Sequence, residues 1–322
     1  MILAGDIGGT KTLLALFDGD PRQPAVLSTY PSREQTGLES MVAAFLAEHP
    51  AEVSAACFGV AGPVQDGIHV DTTNLAWPVD GPRVAEVLHL RSVALLNDLE
   101  ANAWGIPALG PDDFAVLNDG APDARGNAAV ISAGTGLGEA GLYWDGERHH
   151  PFATEGGHAD FAPRGELEIE LWRFLAAEYR HVSYERVCSG MGLVNIERFL
   201  RAHLREPRPQ WLQERMAEGD PAAAISRAGL DGRDPLAERG VDLLVGIYGA
   251  AAGNLALKLM ATGGVYLGGG IAPKLLPRLL RGDFMEAFVD KGRFRSLLER
   301  IPVRVILNDQ TALLGAARRA AV

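Results

Sequence analysis

Short apolar runs alternate with glycine-punctuated turns from the start of the chain. Residues 2 to 4 and 13 to 17 are apolar, Gly8-Gly9 separate them and Asp18-Gly19 close the second run, a pattern that predicts strand, tight turn, strand and turn. A hairpin therefore opens the protein. The same pattern returns at Ala128 to Ser132, Gly134-Thr135-Gly136-Leu137-Gly138, Gly141-Leu142-Tyr143-Trp144 and Asp145-Gly146. Thr10 and Thr135 hold matching places about 125 residues apart, so one supersecondary unit occurs twice.

Between the two copies, Thr36-Gly37-Leu38-Glu39 has capping-box spacing ahead of the apolar run Met41 to Leu46, with Pro50 beyond it, and predicts a helix. Strands are expected at Ala55 to Val60 and Val93 to Leu96, flanking a polar loop that contains Thr72-Thr73-Asn74-Leu75-Ala76-Trp77. Ile106-Pro107-Ala108-Leu109-Gly110-Pro111 is punctuated like a domain boundary. Asp234-Pro235 marks the start of a long helix running to Met260, in which Gly246, Gly249 and Gly253 recur at helical spacing. Each glycine costs about 1 kcal/mol of helix stability relative to alanine, so close packing against a neighbour is expected to compensate. Val265-Tyr266-Leu267 then reads as a strand entering Gly268-Gly269-Gly270 and a further helix, an order suited to nucleotide binding at the carboxyl end of a sheet.

At 322 residues the chain exceeds what one hydrophobic core usually organises, so two domains with a cleft are expected. A composition of 47% hydrophobic and 22% charged residues suits a globular enzyme. The net charge of −11 argues against a nucleic-acid surface, which needs clustered Lys and Arg. Cys57 and Cys188 lie far apart and form no Cys-x-x-Cys pair, so they read as small buried apolar residues. The N-terminus meets Asp6 without a basic segment, and the apolar stretch near Ala250 to Met260 is interrupted by Asn254 and Lys258. Neither a signal peptide nor a membrane span is expected, and the protein reads as cytoplasmic.

Gly5-Asp6-Ile7-Gly8-Gly9-Thr10-Lys11-Thr12 comes close to a Walker A loop, with Thr10 standing where the motif requires glycine. A P-loop leads into a helix, whereas Leu13 to Phe17 has the compact apolar pattern of a strand. The alternative is a phosphate-embracing hairpin turn, in which Gly8 and Gly9 let backbone N–H groups approach anionic oxygens and Asp6 reaches toward a metal-bound water. Its recurrence as Gly134-Thr135-Gly136 favours that reading, since a nucleotide held between two lobes takes a donor loop from each. Asn97-Asp98, at the end of a strand, fits either a helix cap or polar side chains directed into a cleft. Glu155-Gly156-Gly157-His158 has the spacing of helical metal ligands, but paired glycines oppose a helix there. In a loop, a carboxylate and an imidazole make a good pair of contacts for a polyol's hydroxyls.

Asp6-Ile7-Gly8-Gly9-Thr10, Leu96-Asn97-Asp98, Ala133 to Gly138, Glu155-Gly156-Gly157-His158, Glu185-Arg186-Val187 and Leu267 to Gly270 stand in the order found in bacterial glucokinases of the actin-like ATPase superfamily. The resemblance runs from about residue 2 to Leu313-Leu314-Gly315-Ala316. It implies an α/β, two-lobed actin/hexokinase-like (ribonuclease H-like) fold with a mixed sheet in each lobe. The small lobe would comprise residues 1–109 plus 306–322, and the large lobe residues 110–305. It further implies that Asp98 is the base for the glucose 6-hydroxyl, with Asn97, Asp98, Glu155, His158 and Glu185 binding the sugar and Asn74 a further contact. Mg²⁺ and ATP would lie across Gly5, Asp6, Ile7, Gly8, Gly9 and Thr10, with Gly134 and Thr135, and Gly268, Gly269 and Gly270 from the second half. A homodimer is common in the resembled family.

Kinases of the related repressor/open-reading-frame/kinase group share the Asp-x-Gly-Gly-Thr start but add a cysteine-rich zinc motif after the histidine. Here His158 is followed by Ala159-Asp160-Phe161-Ala162-Pro163, with no cysteine before Cys188, which disfavours that group. Two other readings remain: a kinase for another hexose or an amino sugar, and a non-sugar actin-like ATPase sharing the nucleotide hairpins alone.

Overall fold

The computed structural model describes residues 1–62, 64–70, 75 and 77–322. They form two compact units: residues 1–113, 150–153 and 308–322, and residues 114–149 and 154–307. The first begins with β1 (Ile2–Ile7), β2 (Lys11–Phe17), β3 (Pro24–Pro31), α1 (Leu38–Glu48) and β4 (Ala55–Val60). A small antiparallel sheet follows, β5 (Val64–Gln65), β6 (His69–Val70) and β7 (Val79–Asp80), then α2 (Gly81–Leu88), β8 (Ala94–Asn97) and α3 (Asp98–Gly105). The predicted hairpin is β1 against β2, antiparallel, and β4 and β8 extend the sheet in parallel to give the order β3-β2-β1-β4-β8. The helix expected after Thr36 is α1, but the capping box is not made. Gly37 is its N-cap residue without a side-chain cap, and Thr36 Oγ1 pairs instead with Ser40 Oγ at 3.1 Å.

The second unit carries β9 (Phe114–Asn118), β10 (Ala128–Ala133) and β11 (Leu137–Trp144), whose sheet also includes β12 (His149–Thr154), a strand with only its two end residues in that unit. Its helices are α4 (Glu166–Ala176), α5 (Gly190–Leu204), α6 (Gln210–Glu218), α7 (Pro221–Leu230) and α8 (Pro235–Leu259). After β13 (Gly264–Gly268) come the short helices α9 (Ile271–Lys274), α10 (Leu276–Leu279), α11 (Asp283–Val289) and α12 (Arg295–Glu299), then β14 (Val303–Ile306). Its sheet order, β12-β11-β10-β13-β14-β9, repeats that of the first unit with β9 added at one edge. The hairpin β10–β11 is antiparallel, and β13 and β14 follow in parallel. The repeat read in the sequence is therefore a repeat of sheet topology. The chain closes with α13 (Thr311–Ala320), which packs in the first unit against α3 and β1.

Helix α8 is capped by Asp234, whose carboxylate accepts from Ala237 N, and has Pro235 at its first position. Its glycines buy the close approach the spacing called for: a Cβ would fall 2.1 Å from Phe284 O at Gly249 and 2.4 Å from Phe288 O at Gly253. Tyr248, fully buried, donates to Ile131 O on β10 at 3.0 Å and ties the helix to the sheet. α8 is also the one helix among the described residues long and apolar enough to cross a membrane, and 72% of its apolar window lies buried in this core. Cys57 and Cys188 are both free and buried.

Candidate active site

In the first unit, parallel register aligns the ends of three strands: Ile7 pairs with Val60, and Val60 with Asn97. The turn after β1 and the first residue of α3 thus emerge at the same, carboxyl end of the sheet's parallel strands. Asn97 serves as the N-cap of α3: its Oδ1 accepts from Leu99 N at 2.9 Å and its Nδ2 donates to Gly62 O at 3.0 Å, bridging the ends of β8 and β4. Asp98 is the first helical residue, half-buried, with Oδ1 also accepting from Leu99 N at 2.9 Å. Withdrawal from solvent, together with the smaller repulsion of the neighbouring Asp98 charge, lifts the Asp6 carboxyl to about 7. The cap reading of Asn97 is thus met by its Oδ1, and its Nδ2 is engaged with Gly62 O.

The hairpin turn is pinned by a residue that no motif marked. Ser32, fully buried, donates from Oγ to Gly8 O at 2.6 Å, pairs with Thr12 Oγ1 at 2.9 Å and donates its own N–H to Thr10 O at 3.0 Å. The Gly8 N–H is spent inside the turn on Lys11 O at 3.1 Å, so it is not one of the amides free to face a phosphate. Lys11 lies 3.9 Å from Asp309 with both side chains exposed, a pairing of little energetic weight. Asn74 lies outside the described residues. Trp77 is a buried packing residue whose Nε1 donates to Ser32 O at 3.4 Å.

In the second unit, residues 155–158 form no α-helix. Gly156 to His158 make a single 3-10 turn after β12. The glycines are sterically required: a Cβ on Gly157 would stand 1.9 Å from Leu137 O, and one on Gly156 1.9 Å from Glu139 Oε2. This turn brings the three predicted residues together, with His158 Nε2 3.9 Å from Glu155 Oε2 and His158 Nδ1 4.0 Å from Glu185 Oε1. Glu185 is largely withdrawn from solvent. It sits in the 3-10 turn Tyr184–Arg186, and its Oε2 accepts from Leu137 N at 3.0 Å.

Leu137 directly follows the Gly134-Thr135-Gly136 turn, which α5 holds through Gly190 N donating to Gly134 O at 2.8 Å. Gly134 N–H, like that of Gly8, is used internally, on Gly136 O at 2.9 Å. Gly269 lies close by on the neighbouring strand's exit, where its φ of +76° and a Cβ position 2.4 Å from Ala133 O exclude any other residue without strain. A cavity of about 840 Å³ opens beside Gly134, Thr135 and Gly270. Its remaining wall comes from residues the sequence reading did not single out, among them Met191 and Val194 on α5 and Ser226 and Leu230 on α7. The wall also includes the charged residues Asp220, Arg227, Asp231 and Lys274, and no local motif marks any of these positions, because packing brings them to the cavity.

The glucokinase family model matches residues 3–322. A glucokinase from Synechocystis sp. is 44% identical, with 98% of this chain and 96% of that one covered, and one from Nostoc sp. is 43% identical over 100% and 99%. The crystal structure of a glucokinase from an Antarctic psychrotroph superposes with a TM-score of 0.86 at 31% identity, covering 99% of this chain and 98% of that one. A glucokinase of the repressor/open-reading-frame/kinase group from Streptomyces griseus, in complex with glucose and AMPPNP, shares the fold at a TM-score of 0.67, with 24% identity and coverage of 99% of each chain. With the family pattern matched from one end of the described chain to the other, this protein belongs to the glucokinase family.

Proposed function

We propose that this protein transfers the γ-phosphoryl group of ATP to the 6-hydroxyl of glucose, giving glucose 6-phosphate and ADP. The observation that carries the reading is the continuity of one short segment. Gly134 and Thr135 border the 840 Å³ cavity, and two residues after Thr135 the Leu137 N–H donates to the Glu185 carboxylate, which with Glu155 flanks His158. A nucleoside in the cavity would direct its phosphates along the Gly134-Thr135 turn toward a cluster suited to sugar hydroxyls. Full-length relatives named as glucokinases, 43–44% identical, support the same activity.

In this reading Glu155, His158 and Glu185 hold the sugar, and Asn97 is a further sugar ligand. Asp98 accepts the 6-hydroxyl proton as the oxygen attacks phosphorus. The glycine turns at 5–10, 134–135 and 268–270 receive the phosphates through those amides not already spent within the turns. The chemistry of Asp6 fits Mg²⁺, since a buried carboxyl with raised proton affinity gains from a divalent cation and Mg²⁺ takes few protein carboxylates. Asp6 would hold the ion, which when bound supplies charge neutralisation at the phosphates. The proposal takes the enzyme as a cytoplasmic homodimer, a state that sedimentation velocity checks directly.

The test is ADP release with a panel of hexoses, wild type against Asp98→Asn. Wild type is expected to prefer glucose, and the variant to lose roughly 10²- to 10⁴-fold in kcat while remaining folded. A variant turning over glucose at the wild-type rate removes Asp98 from the role of base, and a wild type without sugar-stimulated ADP release removes the kinase reading itself.

A further inference from the structure

Glu139 is a buried acid that the reaction does not use. It lies on β11, 6% exposed, paired in register with Ile131 of β10, and its carboxyl sits against the Cα of Gly156. The same residue grips the turn by its backbone, since Glu139 O accepts from Thr154 Oγ1 at 3.0 Å, and Thr154 Oγ1 in turn accepts from Gly156 N at 3.2 Å. One residue therefore supports the segment 154–158 from beneath through two separate contacts. That segment carries Glu155 and His158.

The surroundings favour a neutral carboxyl. From α8, Tyr248 and Lys258 face it, and Cys188 does so from the segment ahead of α5. β10, reading Ala-Ala-Val-Ile-Ser-Ala, brings no titratable group, and the β12 histidines His149 and His150 lie at the far end of that strand, where His149 packs on Trp144. The turn itself contributes Glu155 and His158. Lys258 is the one cation in this set, and its influence is outweighed by desolvation, which lifts Glu139 to about 7. An ionised carboxylate at this place draws water, and the contact that yields to admit it is the glycine turn, since the β10 and α8 sides are closed by strand pairing and core packing.

Resting on the reading of residues 155–158 as sugar ligands, we propose that Glu139 is a positioning residue for that turn, holding it in the glucose-binding form while neutral, so that glucose binding is coupled to uptake of a proton at Glu139. Linkage sets the size of the effect. If glucose takes the neutral form alone and the group titrates near 7, the glucose Kd rises by about tenfold from pH 6 to pH 8 at most.

Glucose binding is to be measured by calorimetry at pH 6, 7 and 8, in buffers of different ionisation enthalpy, without nucleotide. Wild type is expected to take up a fraction of a proton per glucose near pH 7.5 and to weaken several-fold toward pH 8. Glu139→Gln, which keeps the shape of the neutral acid, is expected to lose both the uptake and its share of the pH dependence, and to bind at pH 8 nearly as wild type does at pH 6. A second pair tests the contact itself. Gly156→Ala is expected to weaken glucose binding at all pH values because its Cβ would stand 1.9 Å from Glu139 Oε2, and Glu139→Ala in the same chain to restore much of the loss. Identical proton uptake in wild type and Glu139→Gln, or a Gly156→Ala variant with unchanged affinity, overturns the proposal. A wild type that binds no glucose at any pH, or a His158→Ala variant that binds it as wild type does, overturns the underlying reading instead.

Discussion

Gly315→Ala asks whether the candidate base is placed by backbone contact between two helices distant in sequence. A Cβ at residue 315 of α13 would stand 1.8 Å from Ala101 O and 2.7 Å from Gly105 N, both on α3. The approach is reciprocal, since a Cβ at Gly105 would stand 2.0 Å from Thr311 O. Carbon and carbonyl oxygen settle at roughly 3.3 Å, so the helices must part by about 1.5 Å at the crossing. Overpacking costs about 1–3 kcal/mol, and the upper end applies here because the obstacle is backbone that cannot change rotamer. α3 begins at Asp98, and a displacement of about 1 Å in a catalytic group costs on the order of 10²-fold in rate. Urea denaturation and the kcat for glucose give the two readouts. Gly240→Ala is the control: it lies mid-helix in α8 with no atom nearer than 3.7 Å to the added Cβ, so it is expected to stabilise by about 0.5–1 kcal/mol. A Gly315→Ala protein with wild-type stability and wild-type kcat refutes the argument that α13 sets the position of α3.

Two further outcomes follow from the site. Glu139 is lifted from an ordinary value of 4.5 to about 7 by burial, so its contribution to stability is complete below 4.5 and is lost as pH rises through 7. Glu139→Gln is therefore expected to exceed wild type in urea resistance by up to about 3 kcal/mol at pH 8 and by under about 1 kcal/mol at pH 5; an equal gap at both pH values contradicts this account. Asn97→Ala removes the α3 cap and the bond to Gly62 O, and is expected to lower stability by about 1–2 kcal/mol and raise the glucose KM, read by thermal melting and steady-state kinetics. A variant with a raised KM and an unchanged melting temperature separates the sugar contact from the cap.

The hairpins, most strands and the long capped helix were legible in the sequence because each is specified locally, by alternation, glycine at a turn or aspartate ahead of proline. The strand expected at Ala55 to Val60 is β4 to the residue, and the helix expected from Asp234-Pro235 to Met260 is α8. The motifs also pointed to Glu155, His158 and Glu185, and the fold brings both carboxylates to about 4 Å from His158. The helix expected after Thr36 is present as α1, although Gly37 caps it and Thr36 pairs with Ser40 instead of closing a capping box. The three short strands β5 to β7 carry two residues each, too few for any periodicity to register.

What the sequence determined by itself was therefore the local backbone and the family pattern: where the chain must turn, where Cβ must be absent, and which polar residues accompany the glycines. Tertiary structure alone decided which surfaces those glycines meet. Gly315 proved to be a helix crossing beneath the candidate base, Gly156 a seat for the Glu139 carboxyl, and Ser32 the pin of the first turn. The cavity wall on α5 and α7 was likewise invisible beforehand. The physical reason is common to all four. A missing side chain or a buried acid has no local signature of its partner, because that partner is set by packing between segments tens to hundreds of residues apart.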